Sequence, residues 1–528
     1  MPEHRTVSIL RRMGTSSAQP TAAELLDFKM TIGGELASDG SGSGIEVLNP
    51  ASNEVCGRAP NCSAAQLDDA MAAAALAFAD WSEHEGARRE SLLQMADTIE
   101  ASTCELALLT TLEQGKPLFD ARAEVQRAIT WLRYYASLEV PGEAVAEGSE
   151  CLLIRRRPLG VVAAITPWNS PLMLAVWKLA PALRAGNTVV LKPSPFTPLG
   201  TLRMGELLRP VLPPGVLNVV SGDDALGALM TRHPIPNKVS FTGSVTTGKR
   251  VAEAAVPDLK RLTLELGGND PAIILADADV AGLTDQLFWS AFRNCGQVCS
   301  AVKRVYVPRG RHTELANVLA ECARSVRVGP GTDEASQLGP INNLAQLERV
   351  KHLIEEAVED GGRIAAGGKQ LERPGNFFEP TIIAEARDAM RVVAEEQFGP
   401  VLPLVPYDDL EDAIASANST HFGLSGSVWG SDVDEATRVA ERLQCGRIGV
   451  NVHPRISPAE PFGGWKWSGL GVENGLEGLH SYTAMQVVQV GAQPAVPPSG
   501  HQLRGDGPQS GAQARPAHPR SSDPSNLT

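Results

Sequence analysis

The chain has 528 residues, of which 43% are hydrophobic and 20% charged, and its formal net charge at pH 7 is −14. This length and balance are typical of a soluble globular protein with two or three domains. The acidic charge argues against nucleic acid as a partner, because that mode of binding needs a basic surface. No apolar run approaches the roughly 18 residues that cross a membrane, so a membrane partner is not expected either.

The two ends of the chain predict disordered segments, and the cysteines indicate the compartment. Residues 1–25 are polar and aperiodic, and residues 491–528 are rich in Pro, Gly, Gln and Ser, so both segments are predicted to be disordered. The eight cysteines form no Cys-x-x-Cys pair, and a chain of this size does not depend on disulfides. A reducing cytoplasm is therefore the expected compartment. We predict no metal site.

Between these ends, strands and helices alternate. Residues 161–165 are apolar and follow a Pro-Leu-Gly turn, which predicts a buried strand. Helical spacing of apolar residues then predicts a helix over 172–184, closed by Gly186. The remaining predicted elements are strands at 188–192, 216–220, 238–242 and 261–265 and a helix at 201–208. Strands joined by helices pair in parallel through right-handed crossovers, so the predicted fold class is α/β with doubly wound open sheets.

Ligands bind such sheets at the carboxyl ends of the strands. Four residues directly follow or close the predicted strands, and these are Asn169, Lys192, Gly243 and Glu265. We therefore expect a ligand site at this edge of the sheet.

Two cysteines lie in the segment Phe292–Ser300, which reads FRNCGQVCS. A nucleophilic cysteine must be a thiolate, or nearly so, and must lie where donors can stabilise an oxyanion. Gly296 in this segment would let the backbone approach a ligand closely. Taken alone, however, the segment is explained better by a buried structural cysteine, which is the commonest role of a free thiol.

A carboxylate ends the apolar strand in the segment Leu264–Gly268, which reads LELGG. A strand-end glutamate that is followed by two glycines is partly desolvated, so its pKa can rise and it can act as a general base. A solvated glutamate at a strand end is the simpler explanation if Glu265 is considered by itself.

An asparagine lies in the loop segment Thr166–Pro171, which reads TPWNSP. The side-chain NH2 group of Asn169 could donate to a developing oxyanion. Asn and Pro also favour ordinary turns, so the segment can be explained without a ligand.

Two glycines, Gly243 and Gly248, lie between a predicted strand and the next helix in the segment FTGSVTTG. Glycines in such a turn let a diphosphate approach the helix N-terminus. The spacing is Gly-x4-Gly, not the Gly-x-Gly-x-x-Gly of a Rossmann dinucleotide site. A plain strand–turn–helix is therefore about equally well supported.

Together, these four segments in this order resemble the aldehyde dehydrogenase superfamily. The spacing from Glu265 to Cys299 matches the superfamily as well. Further matches are Lys192 in Leu-Lys-Pro-Ser, Glu396 and Phe398 in Glu-Glu-Gln-Phe-Gly-Pro, and the sequence PFGGWK at 461–466. The similarity runs from about residue 28 to about residue 490, and the joint order and spacing of the motifs are very specific.

The resemblance implies oxidation of an aldehyde to a carboxylic acid with NAD, or with NADP, through a covalent intermediate on Cys299. The side chain of Asn169 and the backbone N–H of Cys299 would hold the oxyanion, and Glu265 would activate the water that hydrolyses the thioester. Cys295 is the first alternative nucleophile. Glu473 matches a carboxylate that the family links to Glu265 in proton transfer, although a plain surface glutamate fits the sequence nearly as well.

The resemblance also implies a set of cofactor-binding positions. Lys192 would bond the adenine ribose, Gly243 and Ser244 would flank the diphosphate, and Glu396 would hold the nicotinamide ribose. A solvated ion pair is the alternative explanation of Lys192 and of Glu396. The full implied set is Ile165, Thr166, Pro167, Trp168, Lys192, Ser194, Gly222, Gly243, Ser244, Leu266, Glu396 and Phe398.

Two departures from the family pattern concern the cofactor. Many members that use NAD strictly have a glutamate where this chain has Pro195, and without that negative charge a 2′-phosphate is not repelled. NAD is therefore the expected cofactor, with NADP accepted. Asp223 and Asp224 follow Gly222 where relatives often have a second glycine, which weakens the predicted nucleotide contact there.

The aldehyde itself is not identified by the sequence. Four positions match those that usually line the aldehyde tunnel of the family, namely Met173, Trp177, Arg293 and Phe462. Trp177 and Phe462 suit an apolar or aromatic aldehyde, although both could be ordinary core residues.

The family fold implies two doubly wound domains and a small β arm. The coenzyme domain is expected at 26–134 and 156–266, the catalytic domain at 267–479, and the arm at 135–155 and 480–490. In the family the arm pairs with a neighbouring subunit, so a homodimer or homotetramer is implied.

Two other functions were weighed against this one. A CoA-acylating dehydrogenase would pass the thioester to CoA, but that branch generally lacks a base at the position of Glu265. A non-catalytic relative kept for binding or structure is disfavoured because Cys299, Glu265 and Asn169 are all present.

Overall fold

The computed structural model describes residues 28–40, 42, 44–139, 143–147 and 150–490. The two segments predicted to be disordered, 1–25 and 491–528, lie outside these ranges. Among the helices of the described residues, none combines the length and the apolar character needed to cross a lipid bilayer.

Strands and helices alternate along most of this part of the chain. In chain order the strands are β1 (Met30–Ile32), β2 (Glu35–Ala37), β3 (Ile45–Asn49), β4 (Glu54–Ala59), β5 (Glu143–Glu147), β6 (Glu150–Pro158), β7 (Val161–Ile165), β8 (Thr188–Lys192), β9 (Leu217–Val219), β10 (Lys238–Thr242), β11 (Arg261–Glu265), β12 (Asp270–Ile274), β13 (Val302–Pro308), β14 (Arg363–Ala366), β15 (Thr381–Ala384), β16 (Val401–Tyr407), β17 (Ser425–Trp429), β18 (Arg447–Val450), β19 (Gly469–Leu470) and β20 (Thr483–Val490). The helices are α1 (Ala64–Trp81), α2 (Glu85–Ala101), α3 (Thr103–Gln114), α4 (Leu118–Ser137), α5 (Pro171–Ala185), α6 (Leu199–Leu208), α7 (Asp224–Arg232), α8 (Val245–Ala255), α9 (Val280–Phe292), α10 (Arg309–Ser325), α11 (Leu344–Glu359), α12 (Arg391–Ala394), α13 (Leu410–Asn418), α14 (Val433–Ala440) and α15 (Gly475–His480).

The first sheet has the strand order β19-β11-β10-β7-β8-β9-β1-β2. Its central strands, from β11 to β9, pair in parallel, as the alternation of strands and helices predicts. Every residue of β7 is buried, because a parallel strand covered by helices on both faces meets no water. β1, β2 and β19 join in antiparallel pairs at the edges, and the sequence did not predict them.

Local sequence signals mark both ends of helix α5. The helix begins at Pro171, since proline at the first helical position has no N–H to leave unsatisfied. It ends before Gly186, whose φ of 98° is the left-handed conformation of a C-terminal cap. The helix is therefore one residue longer at each end than the predicted range of 172–184.

The second sheet has the order β14-β15-β16-β13-β12-β17-β18, and only β14 joins it antiparallel. Separate apolar clusters cover its two faces. Along β12, Ile273 belongs to one cluster and Ile274 to the other, because successive residues of a strand point to opposite faces. The predicted fold class, α/β with two open sheets, is confirmed.

The third sheet is small and antiparallel, with the order β20-β6-β5. It occupies the region predicted as the arm, with different limits, since α4 continues to Ser137 and β6 continues to Pro158. Likewise β19 lies within the segment 267–479 but pairs with β11 of the first sheet. Pairing in space, not order in sequence, sets these limits.

The first two sheets meet at the carboxyl ends of β7, β10 and β11. The backbone N–H of Gly268, just after β11, donates to Glu396 Oε1 at 3.1 Å. Asn169, just after β7, donates from Nδ2 to the carbonyl oxygen of Gln297 at 3.0 Å. These contacts bring loops of the second sheet against the ligand edge of the first.

Candidate active site

A cavity of about 820 Å³ opens where the two sheets meet. Its volume is within the roughly 300–1,000 Å³ typical of small-molecule and cofactor sites. The predicted site residues that line it are Pro167, Trp168, Asn169, Gly243, Ser244, Leu266, Cys299, Glu396 and Phe398. The other predicted residues lie outside the lining.

Cys299 and Cys295 occupy different environments. Cys299 is half-buried and lines the cavity, on a turn just after the short segment Arg293–Gly296. Cys295 is 1% exposed and packs in an apolar cluster of the second sheet. A substrate in the cavity can therefore meet the sulfur of Cys299 but not that of Cys295.

The turn before Cys299 has an unusual backbone. Asn294, Cys295 and Gly296 all have positive φ, at 52°, 59° and 70°. The Asn294 and Gln297 side chains bond within the turn, with Gln297 Nε2 donating to the Asn294 carbonyl at 2.9 Å. Lys303 Nζ donates to the Gly296 carbonyl at 2.6 Å. Residues other than glycine cost of order 1–3 kcal/mol each in this region of φ, so these bonds hold the strained Asn294 and Cys295 in place.

Gly296 lies outside the cavity lining, and packing of the backbone by itself explains this glycine. A Cβ at this position would lie 2.1 Å from the carbonyl oxygen of Gly399. The glycine is therefore required by close packing of two backbone segments, 294–297 and 398–400. Its role is to let the cysteine turn lie against the loop that carries Phe398.

Replacing Gly296 with alanine is expected to destabilise the protein. Positive φ strains an alanine, and the Cβ would displace the Gly399 backbone, so the free energy of unfolding should fall by about 3 kcal/mol or more. Chemical denaturation measures this. Gly310, where a Cβ would meet no atom within 4 Å, is the control, and Gly310→Ala should not lower stability. Equal stability of both variants would contradict the packing role.

The thiol of Cys299 is protonated at neutral pH in this environment. Burial raises its pKa to about 12, and the negative charges of Glu396, Glu265 and Asp270 contribute in that order. A base must therefore remove the proton before the sulfur can act as a nucleophile.

Asn169 presents its side chain to the cavity while its backbone is held from behind. It is buried, and one hydrogen of its NH2 group is engaged by the Gln297 carbonyl. An amide NH2 has two hydrogens, so the second can serve an oxygen in the cavity. The Asn169 carbonyl accepts from Lys116 Nζ at 2.8 Å and from Asn294 Nδ2 at 3.1 Å.

Glu265 is buried, not solvated. It ends β11 with 3% of its surface exposed, and neither carboxylate oxygen has a hydrogen-bond partner among the described residues. Burial raises the pKa of this carboxyl well above its usual range, the charge of Glu473 adds to the rise, and Lys178 opposes it. A carboxylate in this state is a stronger base than one in water.

Glu473 is also buried, so its interpretation as a surface residue is wrong. Only 1% of it is exposed. Its Oε1 accepts from Lys178 Nζ at 2.6 Å and from Ser240 Oγ at 3.1 Å, whereas Oε2 has no partner in the described chain. Glu265 and Glu473 therefore form a buried acidic pair, and the buried lysines Lys178 and Lys238 both act on the charge of Glu473.

The turn after β10 opens the N-terminus of α8 to the cavity. Ser244 caps the helix by accepting from the Thr247 N–H at 3.2 Å. Gly243, Ser244 and Thr246 all line the cavity. An open helix N-terminus directs N–H groups and a partial positive charge at an anion, which suits a diphosphate.

Glu396 and Phe398 close the opposite wall. Burial raises the pKa of Glu396 to about 7, while Lys303 and the Gly268 N–H favour its charged form. A Cβ on Gly267 would lie 2.0 Å from Glu396 Oε2, so a larger residue would exclude the carboxylate. The Phe398 ring meets Trp168 edge-on, with centroids 5.2 Å apart.

Lys192 is buried at the end of β8, so its interpretation as part of a solvated ion pair is wrong. It is 3% exposed, and burial lowers its pKa to about 8, which the charges of Asp224 and Asp223 partly offset. Asp223 caps α7 by accepting from the N–H groups of Ala225 and Leu226. The aspartate that disturbs the family pattern is therefore a helix cap.

The remaining nucleotide candidates lie outside the cavity lining. Ile165, Thr166, Ser194 and Gly222 are buried near the ends of their strands. A Cβ on Gly222 would lie 2.4 Å from Leu226 Cδ2, so contact with helix α7 by itself explains this glycine.

The sequence profile of the aldehyde dehydrogenase family matches residues 37–488. The chain belongs to this family. It is 40% identical over 487 residues to a betaine aldehyde dehydrogenase of Cereibacter sphaeroides, a match that covers 91% of this chain and 99% of that protein. A betaine aldehyde dehydrogenase of Rhizobium etli is 38% identical over 491 residues, with the same coverage.

Solved structures of the family match this aldehyde dehydrogenase closely. The NAD+ complex of an aldehyde dehydrogenase from Bacillus cereus has a TM-score of 0.87 and 36% identity, covering 89% of this chain and 97% of that one. The NAD+ complex of betaine aldehyde dehydrogenase from Staphylococcus aureus has a TM-score of 0.86 and 33% identity, covering 89% and 96%.

The four substrate candidates of this aldehyde dehydrogenase are not brought together in the cavity. Trp177 is 2% exposed, stacks on Trp131 at 5.6 Å and meets Phe462 edge-on at 5.4 Å. Met173 is also buried, and its sulfur accepts from Arg127 Nε at 3.3 Å, whereas Arg293 is exposed. Packing by itself accounts for the two aromatic residues.

Other lining residues of this aldehyde dehydrogenase escaped the sequence analysis. They are Thr242, Val245, Thr246, Lys249, Gly267, Gln346, Arg349, Ala394, Glu395, His421, Phe422 and Trp467. Four of them could have been found, since they lie in or just after the Gly243 turn, and these are Thr242, Val245, Thr246 and Lys249. Gly267 and Glu395 lie inside the motifs that carry Glu265 and Glu396. The remaining residues lie outside every motif that the sequence analysis quotes.

Proposed function

We propose that this aldehyde dehydrogenase oxidises an aldehyde to its carboxylic acid with NAD+, using Cys299 as nucleophile, Asn169 as oxyanion donor and Glu265 as base. One observation carries the proposal: Cys299 and Asn169 line the same cavity, and the charge of the buried Glu265 acts on the thiol. Membership of the family supports the reaction class.

The cavity fits a dinucleotide. Gly243, Ser244 and the N-terminus of α8 would hold the diphosphate, and Lys249 adds a positive charge to the lining. Glu396 would hold the nicotinamide ribose, and Lys192 would bond the adenine ribose. The matching structures with bound NAD+ support this assignment.

The first half of the reaction acylates the cysteine. Glu265 accepts the thiol proton, and the sulfur of Cys299 adds to the aldehyde carbonyl to give a thiohemiacetal. The Asn169 amide and the Cys299 backbone N–H donate to the developing oxyanion. Gly243, Ser244 and Glu396 would hold NAD+, which would supply the hydride acceptor that converts the thiohemiacetal into a thioester on Cys299.

The second half hydrolyses the thioester. Glu265 first releases the thiol proton, by way of the Glu473 carboxylate, to solvent, and it then takes a proton from the water that attacks the acyl carbon. The tetrahedral intermediate is held by the same donors, and its collapse releases the carboxylic acid and the Cys299 thiolate, which takes the proton back from Glu265. The raised pKa of Glu265 makes its carboxylate a stronger base, which suits the removal of a proton from water.

NADH formation from simple aldehydes, with and without CoA, tests the proposal. The aldehydes should include apolar, aromatic and betaine aldehydes, since the relatives bear the last name. Activity without CoA and free carboxylic acid as product are expected. Dependence on CoA would indicate the acylating reaction, and no turnover with any aldehyde would favour a non-catalytic relative.

NAD+ is expected to be preferred over NADP+, more strongly than Pro195 by itself would predict. The carboxylates of Asp223 and Asp224 act on Lys192, where a 2′-phosphate would lie. Removing one charge with Asp224→Asn should improve kcat/KM for NADP+ relative to NAD+ by roughly three- to tenfold. Asp434→Asn, which removes an acidic residue from the first turn of helix α14, is the control and should leave the ratio unchanged.

Pro195→Glu restores the acid of the family pattern and should sharpen the preference for NAD+, provided the loop accepts the change. Equal use of both cofactors by the wild type would contradict the role of the two aspartates.

We also propose a homodimer or homotetramer that pairs through the third sheet. Strand β20 exposes Met485, Val487 and Val490, with 58%, 56% and 48% of their surfaces open. An apolar edge strand of this kind invites pairing with another chain. Light scattering during size-exclusion chromatography tests this. A cytoplasmic location is part of the proposal, and it suits the free thiols of Cys56, Cys62, Cys104, Cys295, Cys299, Cys322 and Cys445.

A further inference from the structure

A buried ion pair lies directly behind Asn169. Lys116 Nζ and Glu124 Oε2 are 2.5 Å apart, and the two side chains are 3% and 0% exposed. Lys116 lies between helices α3 and α4, and Glu124 lies within α4. Neither residue belongs to a motif that the sequence analysis identified.

The pair holds the Asn169 segment at two points. Lys116 Nζ donates to the Asn169 carbonyl at 2.8 Å. Glu124 Oε1 accepts from the backbone N–H groups of Leu172 and Met173, at 3.0 and 3.2 Å, in the first turn of α5. The ion pair therefore forms hydrogen bonds with both the carbonyl of Asn169 and the start of the helix that follows it.

The same carbonyl connects Asn169 to the cysteine turn. Asn294 Nδ2 donates to it at 3.1 Å, and Gln297 accepts from the Asn169 side chain at 3.0 Å. A shift of the Asn169 backbone would therefore change the distance between its amide group and Cys299. A misplacement of about 1 Å in an active site can cost roughly 100-fold in rate.

Stability does not explain the lysine. Buried ion pairs contribute little net stability, since desolvation offsets their attraction and apolar replacements are often as stable. Glu113 shows that the helix contact needs no lysine either. This buried carboxyl accepts from the N–H groups of Leu199 and Gly200 at the start of α6, and it forms no salt bridge within the described chain.

We propose that Lys116 and Glu124 are positioning residues that fix the oxyanion-donating amide of Asn169 relative to Cys299. This inference rests on the proposed function, because the pair acts only by positioning Asn169, which the proposed function makes the oxyanion donor. The pair sets the position of the loop before substrate arrives, so that the amide hydrogen already points at the oxyanion.

A double-mutant cycle with Asn169 tests the inference. The variant Lys116→Met with Glu124→Gln removes both charges together, keeps similar volumes and retains an oxygen for the α5 N–H groups. The rate of the first NADH burst should fall about 10- to 100-fold in the wild-type background. In an Asn169→Ala background the same change should cost less than about threefold, because the group that it positions is gone.

Glu113→Gln is the matched control. It alters an equally buried helix-capping carboxyl that does not touch the Asn169 loop. It should leave the burst rate within about twofold in both backgrounds. Binding of NAD+, followed by fluorescence titration, should be unchanged in all these variants.

The outcomes separate the inference from the proposed function. Equal losses in both backgrounds would show that the pair is structural only and would overturn the inference. A near-normal burst in Asn169→Ala by itself would instead remove the oxyanion role from Asn169. If the double variant does not fold, Lys116→Met replaces it in the cycle, since Glu124 can then cap α5 without a lysine, as Glu113 caps α6. The comparison between backgrounds is then decided in the same way.

Discussion

Replacing Cys299 with alanine is expected to abolish aldehyde oxidation and to leave NAD+ binding intact. The sulfur of Cys299 lines the cavity, and without it no covalent intermediate can form. Loss of a nucleophile costs on the order of 10⁶-fold in kcat in enzymes that act through a covalent intermediate. NADH formation measures the activity, and fluorescence titration measures the binding.

Cys295→Ala is the matched control for this experiment. Cys295 is buried in the core of the second sheet, so the change should cost some stability but little activity. Near-normal turnover of Cys299→Ala would show that the nucleophile is wrongly assigned. Loss of NAD+ binding in the same variant would show a wider structural effect.

Replacing Glu265 with glutamine is expected to slow the first hydride transfer, because the Cys299 thiol must then lose its proton to water, and to stall hydrolysis of the thioester. The amide has nearly the same shape but cannot take a proton from water. Stopped-flow traces should show a burst of NADH followed by a steady state at least about 100-fold slower than in the wild type. Total loss with no burst would mean that Glu265 acts chiefly on the Cys299 thiol.

The pH profile gives an independent check of the same assignment. Burial raises the pKa of Glu265, so the ionised form, which is the base, increases as the pH rises through that raised value. The steady-state rate of the wild type should rise over this range, and the rise should be absent in Glu265→Gln. Glu113→Gln, which changes a buried carboxyl outside the cavity, should keep the wild-type profile. A normal rate and profile in Glu265→Gln would exclude both roles.

Local patterns predicted the parallel part of the first sheet well. The run of apolar residues at 161–165 forms β7, and Gly186 ends α5 as expected. Such signals work because they depend on neighbours along the chain: a buried parallel strand is apolar throughout, and a left-handed cap favours glycine. The antiparallel edge strands were missed for two reasons: β1 and β2 have only 3 residues each, which is too short for a clear pattern, and β19 finds its partner, β11, some two hundred residues earlier.

The environment of charged groups was predicted less well. Glu473 and Lys192 each had a solvated alternative, and both are buried. Asp223 was interpreted only as a departure at the nucleotide site, and it caps a helix. Burial depends on what packs above a residue, and that neighbour usually comes from elsewhere in the chain.

The sequence by itself determined the family, the fold class and the segments that carry Cys299, Glu265 and Asn169, because their order and spacing are written along the chain. Only the tertiary structure decided which cysteine faces the cavity, how deeply Glu265 is buried and what holds Asn169 in place. Lys116 and Glu124 illustrate the difference, since each is unremarkable among its sequence neighbours. They lie behind Asn169 because α4 packs against α5. This packing removes both charges from water and leaves each charged group only a few fixed partners.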